Sequence, residues 1–144
     1  MNVRNATYHD APDIKMLLEV LGYKTTTSIL VSQLEALFGK DDQQVFVYEL
    51  RKEIIGFVSV HFITQLAFDG GLVFISYLSV KGEVNDQGVA TTLEQFVVEW
   101  AKKRKCDRIQ VHCQEWLAPA HQFYIQRGYQ EYPKYFSKRL VHRE

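Results

Sequence analysis

The sequence has little cysteine, no net charge and no long apolar run, and each shortage excludes a class of protein. Cys106 and Cys113 are the only two cysteines in 144 residues. They bracket a β-rich run, and at about 3.3 Å per residue seven strand residues hold them ~23 Å apart, too far for a disulfide. Two reduced, buried thiols are the favoured reading, with Cys113 as a nucleophile the lesser alternative. The 17 Lys and Arg residues balance 17 Asp and Glu, so there is no basic footprint for nucleic acid. No apolar stretch approaches the roughly 18 residues of a membrane span. The opening Met-Asn-Val-Arg-Asn-Ala-Thr has no apolar signal-peptide core. A cytoplasmic protein with neither a nucleic-acid nor a membrane partner is expected. The five histidines are dispersed, so no metal site is expected. Repeats and low-complexity segments are absent too. Residues 1–144 read as one domain with a single core.

What is present is an ordinary globular composition, 47% hydrophobic and 24% charged. Asn2 to Tyr8 alternates weakly and predicts a first strand. Asp10 reads as an N-cap and Pro12 lies in the first turn of a helix with Ile14, Leu17, Leu18 and Leu21 on one face and Gly22 after it. A second helix is predicted over Thr27–Phe38. Val45–Leu50, Ile54–Ile63 and Leu72–Val80 read as three strands of an antiparallel meander. A long helix opens near Gly88, with Leu93, Phe96, Val97, Trp100 and Ala101 at helical spacing. Lys102-Lys103-Arg104-Lys105 ends it and complements the helix dipole. A strand over Arg108–Cys113, a helix over Ala118–Gln126 and two short strands either side of Pro133-Lys134 complete the chain. The order β-α-α-β-β-β-α-β-α-β-β predicts an α/β (α+β) fold. In it one mixed, mostly antiparallel central sheet has helices on both faces.

The turn between Val80 and the long helix has the chemistry of a phosphate cradle. A helix start carries unpaired N–H groups and about half a positive charge. Gly88 removes a side chain there and Ala90 nearly does. Alone, such a glycine more often serves packing.

Three motifs in the expected order carry a resemblance. Asn85-Asp86-Gln87-Gly88-Val89-Ala90 is similar to the Arg/Gln-x-x-Gly-x-Gly/Ala turn of the GNAT acyltransferases, with asparagine where a longer side chain is usual. Ala120-His121-Gln122-Phe123-Tyr124-Ile125-Gln126-Arg127-Gly128-Tyr129 matches that family's Ala-His-x-Phe-Tyr-x-x-x-Gly-Phe/Tyr. Tyr135-Phe136-Ser137-Lys138-Arg139-Leu140 resembles its aromatic-x-Lys-x-Leu ending. The resemblance covers essentially the whole chain. It implies acetyl transfer from acetyl-CoA, as co-substrate, to a primary amine by direct attack in a ternary complex. Backbone groups of Leu78, Ser79 and Val80 would hold the pantetheine arm. The N–H groups around Asn85, Gln87, Gly88, Val89, Ala90 and Thr91 would hold the pyrophosphate. Tyr124 would hydrogen-bond the departing thiolate and so also belongs to the cofactor set.

A lysine-like amine with a pKa of about 10.4 is neutral only about once in 10³ molecules at pH 7, a cost of roughly 4–5 kcal/mol unless a base takes the proton. The family often places a glutamate on the fourth strand, but Val73-Phe74-Ile75-Ser76-Tyr77-Leu78-Ser79-Val80 holds no carboxylate. His61 is the leading candidate base because histidine titrates near neutrality, with His112 and Glu115 as the others. The thiol of CoA, near 8.5, sits below tyrosine, near 10, so a hydrogen bond from Tyr124 describes its role better than full proton transfer. Asp69 and Glu115 are the acidic residues available to a polycationic acceptor. A small-molecule amine is the favoured acceptor. A protein or peptide amine is the alternative, and a non-catalytic acyl-CoA-binding module is the third reading. Many relatives are dimers, so the resemblance also implies a homodimer as one assembly state.

Overall fold

The structure, a computed structural model, describes residues 2–82, 88–113, 118–132 and 135–141. The chain divides into two compact units, Met1–His112 and Cys113–Glu144.

The first unit runs β1 (Val3–Asn5), a 3-10 turn (Tyr8–Asp10), α1 (Ala11–Val20), α2 (Thr27–Leu37), β2 (Gln43–Leu50), β3 (Glu53–Ile63), β4 (Leu72–Val80), α3 (Val89–Lys103) and β5 (Arg108–Val111). The strands lie in one sheet in chain order, β1-β2-β3-β4-β5. The first four pair antiparallel, and β5 joins β4 in parallel. A parallel neighbour needs a crossover, and α3 is that crossover. The β2–β3 hairpin turns on Arg51 and Lys52, both in the left-handed region at φ 51° and 66°, a geometry that matches strand twist.

The two faces of the sheet have separate cores. Ile14, Leu17 and Leu18 of α1 and Leu30 and Leu34 of α2 cover Val45, Val47, Ile54 and Phe57 on one face. Val89, Leu93, Val97 and Ala101 of α3 cover Ile55, Val58, Val60, Val73, Ile75 and Val80 on the other. This is the mixed sheet with helices on both faces that the sequence predicts. Asp10 is the N-cap residue of α1, as expected, but its side chain makes no cap bond there. Its carboxylate instead accepts from the Thr7 N–H at 2.8 Å and from the Arg4 guanidinium at 2.9 and 3.0 Å. A buried carboxylate is held more firmly by an arginine fork than by one helix N–H.

The second unit holds α4 (Ala118–Gln126), with the expected bounds, ended by Gly128 at φ 94°. Neither of the two expected terminal strands is found among the described residues: 129–132 and 135–141 contain none, while Pro133, Lys134 and residues 142–144 lie outside the described residues. Tyr132, Tyr135, Phe136 and Leu140 are exposed there. The stretch lacks the period-two apolar face that sets a strand's register, and a proline interrupts it. No helix among the described residues is long and apolar enough to cross a membrane.

Candidate active site

β4 changes partners along its length. Leu72 to Ile75 pair with β3 on one edge and with Arg108 to Val111 on the other. The register with β3 then slips, so that Ser59 faces Tyr77 while Val60 faces Ile75. Ser76 is the extra residue of a β-bulge. A bulge bends its strand and ends local pairing, and β5 pairs with β4 no further than Ile75. Beyond the bulge, the Lys81 N–H donates to the Ile55 carbonyl at 2.8 Å. Strand alternation then turns Ser79 toward β3 and the backbone groups of Leu78 and Val80 outward, on the edge β5 has left. The Ser79 hydroxyl is committed elsewhere: it is buried and donates to the Leu17 carbonyl of α1 at 2.7 Å.

The N-terminus of α3 closes the same region. Gly88 is its N-cap at φ 83°, with no side-chain cap bond and no acid in the first turn. The first N–H groups, on Val89, Ala90 and Thr91, have no carbonyl within the helix to pair with, whereas the Thr92 N–H reaches the Gly88 carbonyl at 2.9 Å. Among the described residues a Cβ on Gly88 would meet nothing within 4 Å. Its φ calls for glycine, and the open space beside it is compatible with the clearance for a ligand that the sequence suggests. Close packing falls instead at Gly56, where a Cβ would meet Val89 and Leu93 at 3.1 Å; this glycine lets the first turn of α3 sit on β3. Outward strand amides beside an uncapped helix start suit an extended amide chain that ends in phosphate.

His61 stands opposite Phe74 on β3 and is half-buried. Its Nε2 lies 3.2 Å from Ser76 Oγ, and Ser76 Oγ donates to the Ser59 carbonyl at 3.1 Å. Burial pushes the His61 pKa below its ordinary value, and the charge of Asp42 opposes the shift. His112 sits edge-on to the far side of Phe74, ring centroids 5.0 Å apart. Tyr77, next after the bulge, meets Tyr23 of the α1–α2 connection edge-on at 5.3 Å. Burial, and then Tyr23, raises the Tyr77 pKa. An imidazole, a serine and an aromatic pair thus gather at the bulge.

In the second unit, Tyr124 is buried on α4 between Phe123 and Tyr129, each ring centroid 5.2 Å away. Its carbonyl accepts from the N–H groups of Arg127 and Tyr129 as the helix ends. Asn85, Gln87 and the alternative base Glu115 lie outside the described residues.

The family model described as "Acetyltransferase (GNAT) family" matches residues 12–129. The chain belongs to the GNAT acetyltransferase family. Solved structures carry the same fold. A transcriptional regulator from Bacillus halodurans C-125 superposes with a TM-score of 0.85 at 19% identity, covering 96% of this chain and 98% of that one. An aminoglycoside N-acetyltransferase in complex with CoA gives 0.83 at 16% identity, over 95% and 92% of the two chains. An aminoglycoside antibiotic 6'-N-acetyltransferase from Acinetobacter haemolyticus gives 0.81 at 19% identity, over 98% and 100%. No curated protein matches the sequence.

Within this GNAT chain the residue the motifs miss is Ser76. A signal for it does exist. The core residues of β4 are Val73, Ile75, Leu78 and Val80, at steps of two, three and two. The odd step is a parity slip, which a regular strand cannot show.

Proposed function

We propose that the protein is an acetyl-CoA-dependent N-acetyltransferase acting on a primary amine of a small molecule. The observation that carries this is the outward edge of Leu78 and Val80 beside the uncapped start of α3 in a GNAT chain. A relative whose name states aminoglycoside N-acetylation and whose structure holds CoA supports the same direction.

When bound, acetyl-CoA supplies a thioester carbonyl to which the amine nitrogen bonds as the carbon–sulfur bond breaks. The residues of this chain do the rest. The N–H groups of Val89, Ala90 and Thr91 hold the pyrophosphate, where a helix start offers aligned donors at no cost of reorganisation. Backbone amides of Leu78 and Val80 pair with those of the pantetheine arm, as an added strand would. His61 takes the proton the amine must lose. Its lowered pKa keeps the imidazole neutral and able to accept at pH 7. Tyr124 donates a hydrogen bond to the sulfur as negative charge develops. Full transfer of its proton is uphill by roughly 1.5 pK units, about 2 kcal/mol.

The test is CoA release from acetyl-CoA across a panel of small amines and lysine peptides, with Tyr124→Phe alongside. Turnover with a small amine that falls about 10²-fold or more in Tyr124→Phe, the scale of one lost transition-state donor, supports the reading. Turnover with peptides alone reassigns the acceptor. Tight acetyl-CoA binding with no release for any amine replaces the enzyme with a binding module.

A further inference from the structure

The hydrogen bonds at the β4 bulge determine more than the position of His61. Ser76 Oγ has two neighbours, the Ser59 carbonyl at 3.1 Å and His61 Nε2 at 3.2 Å. A hydroxyl has one proton to donate and lone pairs to accept with, and a carbonyl only accepts. If the Ser76 proton goes to His61 Nε2, one bond is made and the serine gives nothing to the carbonyl. If it goes to the Ser59 carbonyl, Nε2 can donate its own proton to Oγ and both bonds are made. The second arrangement satisfies more polar groups at a half-buried site, and such sites penalise unsatisfied ones.

We propose that Ser76 is a positioning residue that holds His61 as the Nε2–H tautomer, leaving Nδ1 as the atom that accepts the amine proton. The second half rests on His61 being the base, while the tautomer does not. The bulge is what makes the relay possible, because it places Ser76 as the extra residue beside the Ser59 carbonyl. After proton uptake the imidazolium still donates from Nε2 to Oγ. That bond becomes charge-assisted and stronger, so Ser76 favours the protonated form against the desolvation that opposes it. Other groups bear on the ring as well. Gln43 of β2 faces it in register and Asp42 beside it favours the cation. On the β4 side the ring faces Phe74, with His112 against that ring, and Tyr77 follows the bulge. None of these supplies an acceptor to Nε2 among the bonds found there, and Ser76 does.

The experiment is long-range ¹H–¹⁵N correlation on histidine-labelled protein, run above the pKa of His61 on wild type, Ser76→Ala and Ser76→Thr. The expected result is a protonated Nε2 and a bare Nδ1 in wild type and Ser76→Thr, with a mixture in Ser76→Ala. A protonated Nδ1 in wild type, or an unchanged pattern in Ser76→Ala, overturns the proposal. Kinetics then separate it from the assignment of the base. Ser76→Ala should lower kcat about tenfold, the scale of one supporting hydrogen bond, with KM little changed. The acidic limb of its pH profile should move to lower pH, and Ser76→Thr should restore both. If the tautomer appears as expected but neither Ser76→Ala nor His61→Asn moves that limb, the assignment of His61 as base is overturned and the tautomer stands. Circular dichroism and a thermal melt of Ser76→Ala confirm that a folded protein is being compared.

Discussion

The two halves of β4 have similar composition and opposite uses. In Leu72–Ile75 both edges are paired, and Val73 and Ile75 are fully buried under α3. In Tyr77–Val80 the pairing with β3 continues but β5 is gone, and the backbone groups of Leu78 and Val80 turn outward on the edge it leaves. One inserted residue, Ser76, divides them. A sheet edge usually invites aggregation; here it is short, lies within a strand rather than at the end of the sheet, and stands beside a helix start whose first N–H groups have no carbonyl within the helix to pair with.

That contrast can be broken at its paired half first. Ile75→Ala removes a fully buried side chain packed beneath α3 and should cost about 2–5 kcal/mol, read by urea denaturation. If the first half is scaffold alone, acetyl-CoA affinity of the folded fraction should hardly change. Gly88→Ala should do the reverse. It forces a side chain into φ 83°, which costs about 1–2 kcal/mol, and calorimetric titration should show weakened acetyl-CoA binding as the first turn of α3 shifts. An unchanged Kd there would remove the helix start from the site.

The smallest effect comes from His61, at the divide. Its folded pKa lies below the ordinary value because of burial, so between the two values the unfolded chain binds more protons. The stability associated with neutral His61 is full above about pH 6.5 and is lost as pH falls through the folded value. His61→Asn should therefore flatten the pH dependence of unfolding on the acid side of neutrality. Asp42→Asn, which removes the opposing charge, should move the folded pKa further down. Equal slopes in wild type and His61→Asn between pH 5 and 7 would contradict the desolvated placement.

Much of this was legible beforehand where apolar period and punctuation agree. β4 and α4 have the bounds the pattern predicts, and α3 begins one residue after Gly88. At Gly88 the structure adds a positive φ to the clearance that the sequence suggests, because a glycine letter does not say whether it answers to space or to φ. The described residues after α4 hold no strand where the sequence predicts two, because Tyr135 and Phe136 have no alternating apolar partners there. Ser76 carried no motif at all. Its importance lies in where its proton goes, which depends on the carbonyl of a residue seventeen positions away.

By itself, then, the sequence determined the elements from β1 to α4, their order, the family and the helix start that a phosphate would seek, since all of these follow from local periodicity, glycine chemistry and motif spacing. Tertiary structure alone decided where β5 leaves β4, which amides of β4 turn outward, and which hydroxyl meets Nε2 of His61. Those are consequences of strand register, and register is a relation between segments that no single stretch of residues contains.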